Sequence, residues 1–185
     1  MKLTACGLII FFLATLMTSV QAQLCQGSLG DPVVSITFGT GTNPGPQLSS
    51  KITNYSYISS CPGDGYYTVG SSSPGCFNSS WHSLAEDHTP NDVNGYMMIV
   101  NASFSPGDFY VDTIKGLCGG TTYEFAAWIP NIRKSQPCAG TTVYPDVTFN
   151  IETISGTVLK SFQTVRGRNS NINSKQWSSI QLDRP

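Results

Sequence analysis

Charged side chains are scarce in this chain: Asp, Glu, Lys and Arg make up 11% of its 185 residues, and ten basic against eleven acidic groups leave a net charge of −1. So even a balance offers no field for nucleic acid or an anionic membrane, and neither is expected as a partner. Histidine occurs only twice. His82 and His88 stand at i, i+6, a spacing that neither a helix face nor alternate strand positions bring together, so they do not form the start of a zinc site. No C-x-x-C pair is present, which argues against a zinc ribbon or a thioredoxin-like redox motif. There is no G-x-S-x-G elbow to single out a serine nucleophile. Helical periodicity is nearly absent beyond the N-terminus, and no apolar run reaches the ~20 residues that a membrane-crossing helix needs.

The longest apolar run, LIIFFLATLM at 8–17, follows Lys2 and is succeeded by V-Q-A at 20–22. That order reads as a secretory signal peptide over residues 1–22, which leaves 23–185 as one exported domain without a transmembrane segment. Export favours disulfides among Cys25, Cys61, Cys76, Cys118 and Cys138. Four cysteines allow three pairings, which sequence alone does not separate. Nearest-neighbour pairing, Cys61 with Cys76 and Cys118 with Cys138, would staple two short loops and leave Cys25 over.

Gly and Pro are plentiful, at 18 and 11 residues, and they punctuate the chain into short β-branched and aromatic segments. Strands are expected at VVSITF (33–38), GYMMIVNAS (95–103), DFYVDTI (108–114), YEFAAWI (123–129) and DVTFNIETI (146–154). The last turns through Ser155-Gly156 into TVLKSFQTV (157–165) as a hairpin. The link KGLCGGTT (115–122) is too short for a helical crossover, so DFYVDTI and YEFAAWI are expected as antiparallel neighbours. The Gly- and Ser-rich segment 61–81 reads as a decorated loop or loose hairpin. This pattern defines an all-β fold, a β-sandwich or barrel.

Candidate chemistry is limited. Glu86, Asp87, His88 and Asp92 cluster in AEDHTPNDVNGYMMIVNAS (85–103), directly before an apolar run. Asp87 with loop carbonyls could hold a structural calcium ion, since hard oxygen ligands suit that cation. No spacing marks a pair of catalytic carboxylates. Tyr66, Tyr67, Trp81 and Trp128 fall in presumed loops or on a presumed outer face, where a ring can stack on a sugar or a partner protein. N-x-S sequons occur at Asn54, Asn78 and Asn101.

The strings LGDPVVSITFGTGTNPGPQL (29–48), CPGDGYYTVG (61–70), CFNSSWHSLAEDHTPNDVNGYMMIVNAS (76–103) and GLCGGTTYEFAAWIPNI (116–132) resemble the N-terminal jelly-roll module of bacterial gliding-motility surface proteins exported by type IX secretion. The chain is also similar to MAM domains and, more loosely, to galactose-binding-like carbohydrate-binding modules. The resemblance implies a jelly-roll β-sandwich in which Asp87 or His88 pins the entry to an inner strand or holds a cation. It also implies that Tyr96, Met98 and Val100 face one side, with Met97, Ile99 and Asn101 on the other. It further implies a non-catalytic module of a secreted or cell-surface protein, binding carbohydrate or a surface protein in adhesion. A hydrolase of glycans or esters, or a structural cap to a repeat array, stand as the alternatives. A full jelly roll would need further strand near KQWSSIQLDRP (175–185), where the chain stops.

Overall fold

The computed structural model describes residues 34–89, 91–134 and 146–164, together with the backbone of 175–182. The expected signal peptide over 1–22, Cys25 and Cys138 lie outside the described residues. The architecture is all-β, arranged in small sheets. A three-stranded sheet runs in the order β1 (Ser56–Tyr57), β2 (Tyr66–Gly70), β3 (Met97–Asn101). Two two-stranded sheets accompany it: β4 (Thr121–Trp128) with β7 (Lys175–Leu182), and the hairpin of β5 (Thr148–Glu152) with β6 (Val158–Gln163).

The three-stranded sheet is covered on both faces, and the alternation of its side chains explains why. Antiparallel pairing sets Tyr67 opposite Val100 and Val69 opposite Met98, so these four share one face. With Tyr96 they form a cluster in which Tyr67 is 0% and Val69 1% exposed, packed by Phe38, Leu48, Tyr55 and Tyr57. The other face carries Ile99 and Met97, which pack with Cys76, Trp81, Cys61 and Ile132. The structure thus divides Tyr96, Met98 and Val100 from Met97 and Ile99 in the way the resemblance implies.

Segment 61–81 is not the loose loop its Gly and Ser content suggests. It contributes the central strand, because Tyr67 and Val69 alternate at period two and both find a core. Cys61 and Cys76 close it by a disulfide, with Cα atoms 5.8 Å apart. Cys118 is disulfide-bonded as well. Beyond Cys76 the chain makes a left-handed turn, with φ of 54°, 54° and 62° at Phe77, Asn78 and Ser79. Such a run costs about 1–2 kcal/mol per residue. Burial of Cys76 and Trp81 and a Phe77–Trp81 ring contact at 5.0 Å hold it in place.

Two expected strands do not form. Residues 34–38 run without a sheet partner, and Thr40 makes a single antiparallel bridge to Gly95. Residues 108–114 are also unpaired as a strand, although Val111 N donates to Ile52 O at 2.6 Å. Their aromatic rings pack edge-on instead, Tyr110 on Phe38 and Phe109 on Tyr55. Consequently β4 is not the neighbour of 108–114 but pairs along its whole length with β7, Thr121 opposite Leu182 and Trp128 opposite Lys175. The β5–β6 hairpin forms as expected, its turn closed by Gly156 N donating to Thr153 O at 2.9 Å, with Gly156 at φ 84°. Phe125 of β4 meets Phe149 of β5 at 5.3 Å.

Candidate functional site

The turn-rich stretch before β3 is where distant parts of the chain meet. Asn91 and Asn94 both adopt positive φ, 62° and 57°, a conformation asparagine tolerates better than most residues, and they fold the loop back on itself. The result brings Asp87 and Asp92 onto Gly95. A Cβ placed on Gly95 would lie 2.5 Å from Asp92 Oδ2 and 2.9 Å from Asp87 Oδ1, so the two carboxylates share the space that a side chain would fill. Glycine is therefore required there for close approach, and the Asn94-Gly95 pair both turns the chain and clears room for the acids.

Next to Asp87, the ring of His88 lies 5.1 Å from that of Trp128, tilted by 30°. Trp128 comes from the end of β4, and the contact joins the acidic loop to a strand forty residues away in sequence. Alternation along β4 turns Tyr123, Phe125 and Ala127 inward and leaves Glu124 and Trp128 exposed, with Trp128 at 43%. The segment after β4 is anchored to the disulfide layer: His82 N donates to Ile132 O at 2.6 Å and Lys134 N to Ser80 O at 2.9 Å. The loop thus carries a carboxylate pair at Gly95 and an imidazole that meets an exposed indole.

The remaining candidates separate from it. Tyr67 and Trp81 are corrected: both belong to the core, 0% and 8% exposed, and neither offers a face to a ligand. The Gly- and Ser-rich composition of 61–81 suggests a surface loop; because Tyr67 lies on a central strand instead, its ring faces the interior and its hydroxyl accepts from Leu48 N at 2.9 Å. Trp81 is enclosed by the disulfide layer. Tyr66, on the opposite face of β2 from Tyr67, is 42% exposed and makes no ring contact among the described residues.

For a metal ion the residues supply little. Among the described residues no group of three or more His, Cys, Asp or Glu side chains converges. Asp87 and Asp92 provide two carboxylates, and a calcium ion taking six to eight oxygens would draw the rest from carbonyls and water. The pairing of Asp92 with Asp87 carries no signature in the sequence, since it depends on the glycine between them and β3. No helix among the described residues is long and apolar enough to cross a membrane.

Comparison of the chain with protein-family models, with curated proteins and with solved structures finds no match in any of the three.

Proposed function

We propose that this chain is an exported, non-catalytic binding module, built as a jelly-roll-like β-sandwich, that holds carbohydrate of a cell surface against Trp128. The observation that carries the reading is the exposed indole at the end of β4, set beside His88 of the loop that also carries Asp87 and Asp92. A sugar presents C–H faces that stack on an aromatic ring and hydroxyls that donate to carboxylates, so this combination suits it. The low charge of the whole chain fits a neutral ligand better than a polyanion or polycation. A structural calcium ion on Asp87 and Asp92 would stiffen the loop that presents His88.

The test is retention of the secreted chain on a panel of insoluble and soluble polysaccharides, with calcium and with a chelator. Retention on one glycan class that Trp128→Ala abolishes in a sample that stays folded is expected. Retention that survives Trp128→Ala would remove Trp128 from the site, and no retention by a folded sample would remove carbohydrate.

A second reading, a glycoside hydrolase, is favoured by one observation, the closeness of Asp87 and Asp92. Retaining enzymes place two carboxyl groups about 5–5.5 Å apart across the scissile bond. Here both pack against the backbone at Gly95 instead of facing each other across a groove. Glycan turnover lost in Asp92→Asn would favour the enzyme over the binding module.

A further inference from the structure

Beside β1, and lined by none of the residues of the Trp128 site, the segment between Gln47 and Ser56 curves around Tyr67 and leaves an open cleft of about 330 Å³. Its wall is fixed from within. Leu48 N donates to Tyr67 Oη, Tyr55 N donates to Thr53 Oγ1 at 3.1 Å, and Ile52 N donates to Ser49 O at 2.9 Å. Tyr55 is further held by its hydroxyl, 3.3 Å from Ser103 Oγ, and by the edge of Phe109 at 6.4 Å. The shape therefore exists without a ligand.

The rim is chemically different from the wall. Gln47, Ser50, Asn54 and Ser56 are exposed and line the cleft, and none of their side chains is hydrogen-bonded to another described residue. Two amides and two hydroxyls are thus unspent around one concavity, each able both to donate and to accept. No lining side chain carries a charge. An ion would lose its hydration there without a countercharge, whereas a neutral polyol would exchange water for amide and hydroxyl partners. The volume sits at the lower end of the range for small-molecule sites, about 300–1,000 Å³, which suits a single small ring.

We propose that this cleft is a second saccharide subsite, taking one neutral hexose residue, with the amides of Gln47 and Asn54 on its hydroxyls and Tyr55 against its C–H face. The ligand class rests on the carbohydrate reading above; the location does not depend on Trp128. A consequence concerns modification: Asn54 opens the sequon Asn54-Tyr55-Ser56, so a glycan attached there would fill the cleft.

The experiment is a two-dimensional amide NMR titration of the full secreted chain with glucose, galactose, mannose and N-acetylglucosamine, and with glucuronate as a charged control. Expected are saturable shifts at Leu48, Asn54 and Tyr55 with at least one neutral sugar and none with glucuronate. Asn54→Ala and Gln47→Ala should each raise the Kd fitted to those shifts about tenfold, the worth of one hydrogen bond, and leave any response at Trp128 unchanged. Shifts confined to the surroundings of Trp128 would overturn the cleft and leave the Trp128 reading standing. Shifts at the cleft alone would support the cleft and count against Trp128. An equal response to glucuronate would overturn the neutral-ligand assignment, and no response to any sugar would overturn both sites.

Discussion

Replacing Gly45 with alanine should destabilise the protein through a single misplaced methyl group. Gly45 is buried where the loop 39–48 crosses the core: its N–H donates to Val69 O at 2.7 Å and its carbonyl accepts from Tyr57 Oη at 2.7 Å. A Cβ there would sit 2.8 Å from Val69 Cγ1 and 3.1 Å from Cε2 and Cζ of Tyr96. Neither neighbour can yield readily, because Val69 is 1% exposed and Tyr96 is tied by its hydroxyl to Thr42 O at 2.8 Å. Overpacking of this kind costs about 1–3 kcal/mol. For a domain of this length each kcal/mol moves the melting temperature by about 2–4 °C, so a fall of roughly 2–12 °C is expected. Gly63→Ala is the matched control, since a Cβ at Gly63 meets nothing within 4 Å and its φ is not positive. Loss of unfolded-chain entropy should make that variant neutral or more stable by up to about 1 kcal/mol. Thermal and urea unfolding of both variants beside the wild type would read the difference. Equal stabilities for Gly45→Ala and Gly63→Ala would refute the packing of loop 39–48 on Val69 and Tyr96.

Three further outcomes follow from the same structure. Replacing Cys61 and Cys76 by serine opens a loop with a sequence separation of 15 and should cost about 3 kcal/mol in urea unfolding; an unchanged midpoint would contradict the bond's role. The phenol of Tyr110 is pushed up to about 12, first by burial and then by the charge and hydrogen bond of Asp112. Its folded value lies above the ordinary 10, so the folded state holds the proton longer. The associated stability is whole below pH 10 and is lost as pH rises toward 12, and Tyr110→Phe should flatten that part of the stability profile. Absorbance titration showing every tyrosine ionising near pH 10 would dispose of this. Finally, Asp87→Ala should lower the melting temperature, and added calcium should raise that of the wild type but not of the variant; identical curves in calcium and chelator would remove the ion.

Local pattern made much of the fold legible. The alternation in YEFAAWI and the Ser155-Gly156 turn are complete in a short window, and β4 and the β5–β6 hairpin follow them. The failures have a common cause in tertiary pairing. VVSITF and DFYVDTI have the composition of strands, but pairing requires a partner in register; their aromatics pack edge-on instead, and β4 pairs with β7. Conversely, YYTVG sits among glycines and serines that suggest a loop, yet the disulfide and two flanking layers make it the central strand. That inversion also explains why two of the four aromatic candidates are interior. Trp128 was readable as exposed because its strand alternates, whereas its meeting with His88 depends on a contact between segments forty residues apart. The cleft between Gln47 and Ser56 is held by backbone donors and has no side-chain motif to announce it.

On the proposed reading Trp128 holds sugar, whereas the buried Trp81 is structural. Isothermal titration with the glycan retained best, on wild type, Trp128→Ala and Trp81→Phe, tests it most directly. Trp128→Ala is expected to weaken binding by about tenfold or more while the protein stays folded. Trp81→Phe, which loses packing around Cys76 and Ile99, should lower the melting temperature and leave the affinity of the folded protein intact. Full affinity in Trp128→Ala, with the protein folded, would contradict it.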